Sequence, residues 1–525
     1  MNVATWLDRN ARQLPDHAAI ADGARVHATW RDWAARSAAL STGLRELLGL
    51  STGDRVAIIM RNRPEYLEAQ FAIWRAGLVA VPVNARLHRD EIAFVLSHSG
   101  TSVVVADEEH AEDISSLVGE VPSLRTVVVA PGEDWQRLLA SAAGPLVDRA
   151  PGDAAWLFYT SGTTGRPKGA TLTFRNLLMA SLSYFADVDS VTPRDSILQS
   201  APLSHGAGLY GLPHVAKGAT SVIPISGGVD GEEIAWLLDR WSGMSLFAAP
   251  TMVRRLATDP HVVNANLDHA RTIIYGGAPM YLADLQYALD VIGPKFAQIY
   301  GQGEAPMTIT GLSKADHAAR DHPRFEQHLQ SVGVPRTDVE VRVVDEQDVD
   351  VPVGELGEVL VRGEVVMPGY WEEPEATAET LRGGWLHTGD IGAFDEDGYL
   401  TLHDRSKDLV ISGGMNIYPR EVEEALLHHP AVEAVAVTGR PDAEWGEALV
   451  AFVVPSDGTK PPSPAELDAA CLDRLARYKR PKEYRFLDAL PTNNYGKVVK
   501  RELRDQLQAE AHTGSAPGTT QEPPV

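Results

Sequence analysis

Short apolar runs and longer mixed runs alternate along the first 331 residues of the chain. The runs at 55–60 and 79–83 have the composition of buried strands, whereas 64–76 opens with Pro64 and has a helical pattern. Further strands are predicted at 102–106, 154–158, 196–200, 220–225, 245–249, 271–275 and 296–300, and further helices at 30–48, 89–97, 174–185, 232–241, 252–258 and 281–292. Strands interleaved with helices of this length predict an α/β fold with mainly parallel sheets covered on both faces.

The pattern changes twice in the rest of the chain. Residues 338–345 and 357–363 largely alternate between apolar and polar side chains, which predicts a β-rich, half-exposed region. Beyond 404–407, helices at 419–428 and 464–478 and strands at 432–438, 448–454 and 483–487 predict a separate small α+β domain. We therefore expect a large domain over 1–404 (αβ subdomains over 1–331, a β-rich subdomain over 332–404), a small mobile domain over 405–510 and a disordered tail over 511–525.

The composition argues against several classes of protein. The chain has 525 residues and a formal net charge of −24, which opposes binding to nucleic acid and to anionic membranes. No run approaches the roughly 18 apolar residues of a membrane span, and the N-terminus carries Asp8, Arg9 and Arg12 where a signal peptide is apolar. Cys471 is the only cysteine, so no disulfide framework or cysteine-rich metal site is expected. These features indicate a cytoplasmic protein with no membrane span and no nucleic-acid partner.

One loop, at residues 159–170, is suited to binding an anion. It reads Tyr-Thr-Ser-Gly-Thr-Thr-Gly-Arg-Pro-Lys-Gly-Ala and follows a predicted strand, with a predicted helix after it. Glycines let backbone N–H groups approach a ligand closely, hydroxyls add donors, and a lysine adds a positive charge that suits phosphate. It is not a Walker A sequence, because Lys168 stands between Pro167 and Gly169.

This loop resembles the signature of the adenylate-forming superfamily, which includes acyl-CoA synthetases, the adenylation domains of peptide synthetases and firefly luciferase. Further stretches resemble the same superfamily in its order, at 202–208, 275–280, 300–304, 387–390, 404–405, 408–423 and 491–497. The resemblance implies ATP, Mg²⁺ and coenzyme A as cofactors. It assigns nucleotide binding to Thr160, Ser161, Gly162, Thr163, Thr164, Gly165, Lys168, Gly277, Ala278, Pro279, Tyr300, Gly301, Gln302, Asp390 and Arg405.

The remaining roles implied by the resemblance concern the metal, coenzyme A and catalysis. Thr160 and Glu304 are the expected magnesium ligands, and carboxylate oxygen suits that ion. Gly413 and Gly414 are expected beside the pantetheine arm of coenzyme A, and Lys407 at a hinge between the domains. The catalytic residues are expected to be Lys497, His205 and Glu304, with Lys497 stabilising charge at the α-phosphate.

The reaction implied is that of an ATP-dependent acid–CoA ligase. The expected acid pocket consists of His205, Gly206, Tyr210, Tyr275, Gly276, Gly303, Ala305 and Met307. Gly303 stands where the superfamily usually has threonine, which removes a hydroxyl near the α-phosphate and could enlarge the pocket. We expect an aromatic acid of the ferulate, coumarate, cinnamate or benzoate type, with a medium-chain fatty acid as the alternative.

Other functions fit single motifs of this sequence. Gly206, Gly208 and Gly211 fit the spacing of a dinucleotide fingerprint, but no strand ending in Asp or Glu follows at the required distance. An amino-acid adenylation domain normally has aspartate where this chain has Gly206, and the insertion typical of fatty acyl-AMP ligases is not found. An adenylating enzyme without CoA transfer, a luciferase and a non-catalytic nucleotide-binding regulator stay open, as does a homodimer.

Overall fold

The computed structural model describes residues 1–160, 167–405, 410–412, 415–442, 445–458, 460–492 and 498–513. The strands are β1 (Ala18–Asp22), β2 (Arg25–Thr29), β3 (Arg55–Ile59), β4 (Val79–Pro82), β5 (Val103–Ala106), β6 (Thr126–Val129), β7 (Ala154–Thr160), β8 (Lys168–Thr173), β9 (Ser196–Leu198), β10 (Thr220–Ile223), β11 (Met244–Ala248), β12 (Ala270–Gly276), β13 (Phe296–Tyr300), β14 (Thr310–Leu312), β15 (Val334–Pro335), β16 (Val339–Val344), β17 (Gly357–Gly363), β18 (Leu386–Phe394), β19 (Leu400–Arg405), β20 (Val410–Ser412), β21 (Met415–Ile417), β22 (Val432–Asp442), β23 (Gly446–Pro455) and β24 (Glu483–Phe486).

The α-helices are α1 (Thr5–Gln13), α2 (Trp30–Thr42), α3 (Pro64–Arg75), α4 (Arg89–Ser99), α5 (Ala111–Ser115), α6 (Glu133–Leu139), α7 (Phe174–Asp187), α8 (Gly206–Lys217), α9 (Gly231–Leu238), α10 (Pro250–Thr258), α11 (Pro260–Val263), α12 (Leu282–Ile292), α13 (Lys314–Ala318), α14 (Phe325–Gln330), α15 (Pro374–Thr380), α16 (Pro419–Leu427), α17 (Pro464–Leu472) and α18 (Lys500–Thr513). A short π-helix, Gly43–Leu47, continues α2. No helix in the described part of the chain combines the length and apolar character that a membrane crossing requires.

The chain divides into two compact units. The first contains Met1–Arg342, Leu360–Thr388 and Phe394–Thr401, and the second contains Val343–Val359, Gly389–Ala393 and the chain from Leu402 onward. Strands β16 to β19 form a four-stranded sheet in sequence order, in the region expected to be β-rich. The predicted domain boundary at 404–405 stays a prediction.

Two mainly parallel sheets form the first unit, as the alternation of strands and helices predicts. The six-stranded sheet has the order β6-β5-β3-β4-β7-β8, and only its edge strand β8 is antiparallel to its neighbour. The nine-stranded sheet has the order β15-β14-β13-β12-β11-β9-β10-β1-β2, with parallel pairing from β13 to β1. Its antiparallel strands lie at the two edges. The predicted α/β fold with a large domain and a smaller one is confirmed.

The second unit has its own hydrophobic core. Its sheet has the order β21-β20-β23-β22, with β24 beside β23. On one face, Val435 and Val453 pack with residues of α16 and α17, and on the other Phe452 packs with Leu503 and Leu507 of α18. Helix α17 ends at Leu472, several residues before the predicted end at 478.

Helix α8 was not predicted. Its sequence contains three glycines and Pro213, all poor formers of a helix interior, so local propensity argues against the helix. Tertiary packing decides the conformation instead. A Cβ at 208 would lie 2.1 Å from the Leu203 carbonyl oxygen, and one at 211 would lie 2.9 Å from the Gln199 amide nitrogen. Gly208 is therefore required by close packing against a backbone oxygen, and Gly211 packs against the end of the Gln199 side chain. This packing accounts for both glycines without a dinucleotide.

The buried carboxylate of Glu68 in α3 forms an ion pair with Arg36 of α2. The Glu68 side chain is fully buried and accepts hydrogen bonds from Arg36 at 2.6 and 2.8 Å, with the His27 ring 2.9 Å away. Burial raises the pKa of Glu68, but the hydrogen bonds from His27 and Arg36 outweigh it, so the pKa lies below its usual value. The ionised form is thus favoured in the folded protein, and its contribution to stability is present at neutral pH.

We expect Arg36→Met to lower the unfolding free energy by about 3 kcal/mol at pH 7, because it leaves the Glu68 charge buried without its main partner. The loss should shrink below about pH 4, where Glu68 is protonated in the unfolded chain and its stabilisation fades. Urea unfolding at both pH values measures this. The matched control is Arg31→Met, whose pair with Asp16 is exposed and should cost less than about 1 kcal/mol. Equal losses in the two variants would show that burial of the Glu68 pair does not matter.

Candidate active site

The predicted phosphate loop connects two strands of a hairpin. Strands β7 and β8 are antiparallel, and Thr160 pairs with Lys168 at the open end of the ladder. We expected the loop to lie between a strand and a helix, and this is wrong. The residues after the loop alternate, which favours a strand, and α7 begins only at Phe174. Ser161, Gly162, Thr163, Thr164 and Gly165 lie outside the described residues.

Lys168 and Glu304 both contact Tyr370, although the three residues are far apart in sequence. The Lys168 Nζ atom lies over the Tyr370 ring, 5.1 Å from its centroid. The Tyr370 hydroxyl donates to Glu304 Oε1 at 2.8 Å. Burial and the Glu304 charge raise the pKa of Tyr370, so its hydroxyl keeps its proton and can donate to the carboxylate. The predicted phosphate lysine and magnesium ligand therefore share one neighbour.

The segment that carries Tyr370 is fixed by backbone hydrogen bonds to β8. The Trp371 N–H donates to the Gly169 carbonyl at 2.8 Å, and the Thr171 N–H donates to the Gly369 carbonyl at 3.0 Å. The Met367 N–H donates to the Glu304 carbonyl at 2.8 Å. These contacts hold Tyr370 between the hairpin and the loop of Glu304.

The loop after β13 is compact and packs on Thr160. The Ile309 N–H donates to the Tyr300 carbonyl at 2.9 Å, and a Cβ at 301 would lie 2.5 Å from Met307 Cα. A Cβ at 303 would lie 2.6 Å from Thr160 Cγ2 and 2.7 Å from Phe158 Cδ1. The sequence suggested that Gly303 could enlarge the pocket. It does not, because Thr160 and Phe158 occupy the space that a side chain at 303 would fill. Its role is to let Thr160 approach the loop of Glu304, which brings together the two expected magnesium ligands.

His205 lies immediately before α8, at its N-cap position. Its Nδ1 is 2.9 Å from the Ser204 hydroxyl, and its ring meets the Phe158 ring edge to face at a centroid distance of 5.1 Å. Burial lowers the pKa of His205 to about 3. The imidazole is therefore neutral at pH 7, so it can orient a carboxylate by hydrogen bonding without adding charge.

Two stacked aromatic rings, one from α8 and one from β11, lie close to the start of α8. Tyr210 stacks on Phe247 at a centroid distance of 5.4 Å and an interplanar angle of 10°. The Tyr210 hydroxyl donates to the Met307 carbonyl at 3.1 Å. A Cβ at 206 would lie 3.0 Å from the Phe247 ring and 3.1 Å from Met307 Cε, so only glycine leaves these two side chains in place. Gly206, Tyr210 and Met307 are thus gathered at one place, as expected of a pocket.

Tyr275 is a correction to the predicted pocket. Its hydroxyl is 2.9 Å from His317 Nε2, and it belongs to a hydrophobic cluster different from that of Tyr210 and Phe247. The reason is strand alternation, because Ile274 on the other face of β12 packs in the cluster of Tyr210. Gly276 packs tightly against the Ile299 carbonyl, where a Cβ would be 2.3 Å from the oxygen, and Ala305 is buried.

The segment predicted to face adenine is open on one side. Gly277 has φ +83°, and a Cβ added there would meet no described atom within 4 Å. Both Gly277 and Pro279 are exposed, and Ala278 is half-buried. Tyr300, at the end of the neighbouring strand β13, is buried, and the Gln302 side-chain amide donates to the Thr388 carbonyl at 2.8 Å.

The second unit carries the remaining predicted residues. Asp390 is buried in β18, next to Gly389, whose N–H donates to Glu358 Oε1 at 3.0 Å. Arg405 ends β19, and its side chain is not described. Lys407, Gly413, Gly414 and Lys497 lie outside the described residues. Thr492 and Val498 form an antiparallel bridge, so the chain on the two sides of 493–497 is paired.

Three residues of this region were not predicted from the sequence to be functional. Tyr370 follows a Met-Pro-Gly turn, and no nearby glycine-rich loop or charge marked it as functional. Phe158 and Phe247 lie in apolar strand segments, β7 and β11, where an aromatic residue is most often core. The only usable signal was their position near the carboxyl ends of parallel strands, where ligands collect in such sheets.

Comparisons with known proteins agree with this geometry. The AMP-binding enzyme family matches residues 7–371, and the AMP-binding enzyme C-terminal domain matches residues 421–497. The chain is similar to feruloyl-CoA synthase of Amycolatopsis sp, with 40% identity over 96% of this chain and 98% of that protein. It is also similar to a long-chain-fatty-acid–CoA ligase of Mycobacterium tuberculosis, with 35% identity over 88% of this chain and 90% of that protein.

Solved structures agree as well. The ATP-bound structure of MatB from Rhodopseudomonas palustris is 30% identical and superimposes with a TM-score of 0.86, over 96% of this chain and 99% of that one. The family match spans well over half of the chain and includes the hairpin, the Glu304 loop and Tyr370. The predicted resemblance is confirmed, and the chain belongs to the AMP-binding enzymes, the adenylate-forming family.

Proposed function

We propose that this protein is an ATP-dependent acid–CoA ligase that acts on an aromatic carboxylic acid. A carboxylate oxygen of the acid attacks the α-phosphorus of ATP, and pyrophosphate leaves. The thiol sulfur of coenzyme A then attacks the acyl carbonyl carbon of the adenylate, AMP leaves, and the thiol proton passes to solvent. The observation that carries the aromatic assignment is the stack of Tyr210 on Phe247 beside His205.

The acid-binding step follows from the residues around His205. The neutral His205 imidazole is suited to donating a hydrogen bond to the carboxylate, while Phe158 restricts the position of its ring. An aromatic ring of the acid would extend the aromatic packing that Tyr210 and Phe247 already form with each other. Similarity to the feruloyl-CoA synthase supports an aromatic acid, and similarity to the long-chain-fatty-acid–CoA ligase keeps a fatty acid as the alternative.

The metal and phosphate roles rest on the group around Tyr370. Thr160 and Glu304 offer hard oxygen atoms, and the packing of Gly303 brings the loop of Glu304 to Thr160. A bound Mg²⁺ would neutralise phosphate charge at this place. Tyr370 orients the Glu304 carboxylate through its hydroxyl, and the Lys168 ammonium lies over the Tyr370 ring. In the second step we propose that the small domain turns about Lys407, which withdraws Lys497 and brings Gly413 and Gly414 to coenzyme A.

The first experiment tests the function itself. Purified protein is given ATP, Mg²⁺ and one acid from a panel of ferulate, 4-coumarate, cinnamate, benzoate, octanoate and acetate. We expect pyrophosphate release that depends on the acid, and AMP and a thioester once coenzyme A is added, with an aromatic acid as the best substrate. A reaction with acetate alone would contradict the aromatic assignment. No pyrophosphate with any acid would favour the non-catalytic nucleotide-binding regulator.

The second experiment separates the two half-reactions. We expect Lys497→Ala to abolish formation of the acyl-adenylate, because the charge at the α-phosphate loses its stabilising ammonium, and to spare thioester formation from supplied acyl-AMP. Pyrophosphate release measures the first half-reaction, and thioester absorbance measures the second. Lys460→Ala removes an exposed lysine and is the matched control. Equal loss of both half-reactions in Lys497→Ala would contradict the assigned role.

The third experiment tests Tyr370 as a positioning residue for the metal ligand. Tyr370→Phe removes the hydroxyl that donates to Glu304, and partners of metal ligands typically affect metal affinity by about tenfold or more. We therefore expect the Mg²⁺ concentration for half-maximal pyrophosphate release to rise about tenfold.

Tyr399→Phe is the matched control for this variant. It also removes a tyrosine hydroxyl that donates to a carboxylate at 2.8 Å, here that of Asp316, away from the predicted site. A lower unfolding temperature for Tyr370→Phe with an unchanged Mg²⁺ dependence would show that the hydroxyl is only structural.

A further inference from the structure

Arg336 is a buried arginine beside Tyr210, and its guanidinium nitrogens make no hydrogen bond within the described part of the chain. Arg336 directly follows β15 and is 3% exposed. Its backbone N–H donates to the Ile309 carbonyl at 3.1 Å, which fixes the start of the side chain. None of its three guanidinium nitrogens makes a hydrogen bond to any described residue. A buried cation without acceptors is costly, so an arginine kept in this state calls for an explanation.

The chain leaves space specifically for this side chain. A Cβ at 311 would lie 3.3 Å from Arg336 Nε and 3.9 Å from Cζ, so a larger residue on β14 would displace the guanidinium. Arg336 also faces Tyr210. Burial raises the pKa of Tyr210 to about 12, and the Arg336 charge acts in the opposite direction. The Tyr210 hydroxyl donates to the Met307 carbonyl, so its oxygen stays able to accept from Arg336. A guanidinium has five N–H donors, more than one hydroxyl oxygen can satisfy, so donors of Arg336 stay unused.

Two other buried polar atoms beside Tyr210 also lack a described partner. The Tyr184 hydroxyl and His214 Nε2 make no hydrogen bond to a described residue. The Tyr184 ring lies 6.0 Å from the Tyr210 ring and 5.5 Å from the His214 ring. His214 Nδ1 is 2.9 Å from the Tyr210 carbonyl, so it carries the proton and leaves Nε2 as an acceptor. Burial lowers the pKa of His214 to about 4, so the ring stays neutral at pH 7.

Asp338 is the nearest candidate for an internal counterion. Its carboxylate oxygens are buried and, like the guanidinium, make no hydrogen bond to a described residue. Burial raises the pKa of Asp338, which Ser183 and the Arg336 charge partly oppose. No ion pair between the two is formed among the described residues, so Asp338 can offset part of the charge of Arg336 but does not satisfy its N–H groups.

We propose that Arg336 is the inner polar end of the acid pocket and binds a hydrogen-bond-accepting oxygen at the far end of the acid, such as a ring hydroxyl or methoxy group. The inference rests on the proposed function and narrows it to oxygenated aromatic acids. From His205, at the N-cap of α8, to Tyr210 is five residues or about 7.5 Å along the helix, which leads from the expected carboxylate position to the ring. Arg336 interacts with Tyr210 at the end of this path, and we place the ring substituent of the acid there.

The same argument disfavours the fatty-acid alternative. A guanidinium has donors only, and an aliphatic chain end offers it no acceptor. Such a substrate would keep the charge buried and unsatisfied in the complex. An acid with an oxygen substituent would accept hydrogen bonds from the guanidinium, whereas an acid without one would leave these donors without an acceptor. The pocket would therefore bind the oxygenated acid more tightly.

The test compares ferulate with cinnamate, which lacks ring oxygens, in the wild type, Arg336→Met and Arg336→Lys. We expect kcat/KM of Arg336→Met for ferulate to fall about 10- to 100-fold, as for a lost hydrogen bond to a charged group, and for cinnamate to change less than about threefold. Arg336→Lys keeps the charge and should lose less than Arg336→Met. Equal losses for the two acids would overturn the proposal.

A stability control separates this role from a structural one. Arg75→Met removes another buried arginine, whose pair with Asp8 at 2.7 Å is satisfied, and should lower the unfolding temperature without changing selectivity. Arg336→Met should leave the unfolding temperature unchanged or raise it, because it removes an unpaired buried charge. A clear decrease in Arg336→Met would show that the guanidinium supports the fold.

Binding gives a readout that does not depend on turnover. If the wild type activates no acid, the proposed function fails, and thermal shifts with ferulate and cinnamate still test Arg336. Stabilisation by ferulate that exceeds that by cinnamate in the wild type and disappears in Arg336→Met supports the subsite. The proposal is overturned if both acids stabilise the wild type equally, or if neither acid stabilises it.

Discussion

Three segments that are distant in sequence must meet before this site exists. The β7–β8 hairpin, the loop of Glu304 and the turn of Tyr370 converge through backbone hydrogen bonds and through the absence of a side chain at Gly303. A carboxylate at the hydroxyl of one tyrosine and an ammonium over its ring give this place both signs of charge. The chain as a whole carries a net charge of −24, so anionic substrates depend on such local cations to bind.

The sequence predicts the overall fold well because its signals are local. Buried strands such as β4 and β5 are continuous apolar runs, and several helices begin at a capping residue or proline, as α2 and α3 do. Helix α8 could not be predicted this way, because its glycines are required by the Leu203 carbonyl and the Gln199 side chain, which no local pattern reveals. The hairpin after the phosphate loop was mistaken for a strand–helix unit because β8 is short and α7 follows it directly.

The candidate site was predicted in part, and the limit is the direction of side chains. His205, Gly206, Tyr210 and Met307 come together as the motifs indicate, whereas Tyr275 points to the other face of its strand. Adjacent residues of a strand face opposite sides of the sheet. A motif at the end of a strand therefore shows which end of the sheet carries the site, but not which of its side chains point into the site. Arg336 and Tyr370 were not found, because their importance depends on what lies next to them in space.

The glycines of α8 also limit how this protein can be engineered. Replacing a helical glycine by alanine is a common way to raise thermostability, since it restricts the unfolded chain. In this helix the usual gain is reversed, because a methyl group at 208 would lie 2.1 Å from the Leu203 oxygen and push the helix away from it. His205 begins the same helix and would move with it. Thermostable variants of this enzyme should therefore be sought at other helices, because alanine at position 208 would lower stability and also shift the residue that begins the helix.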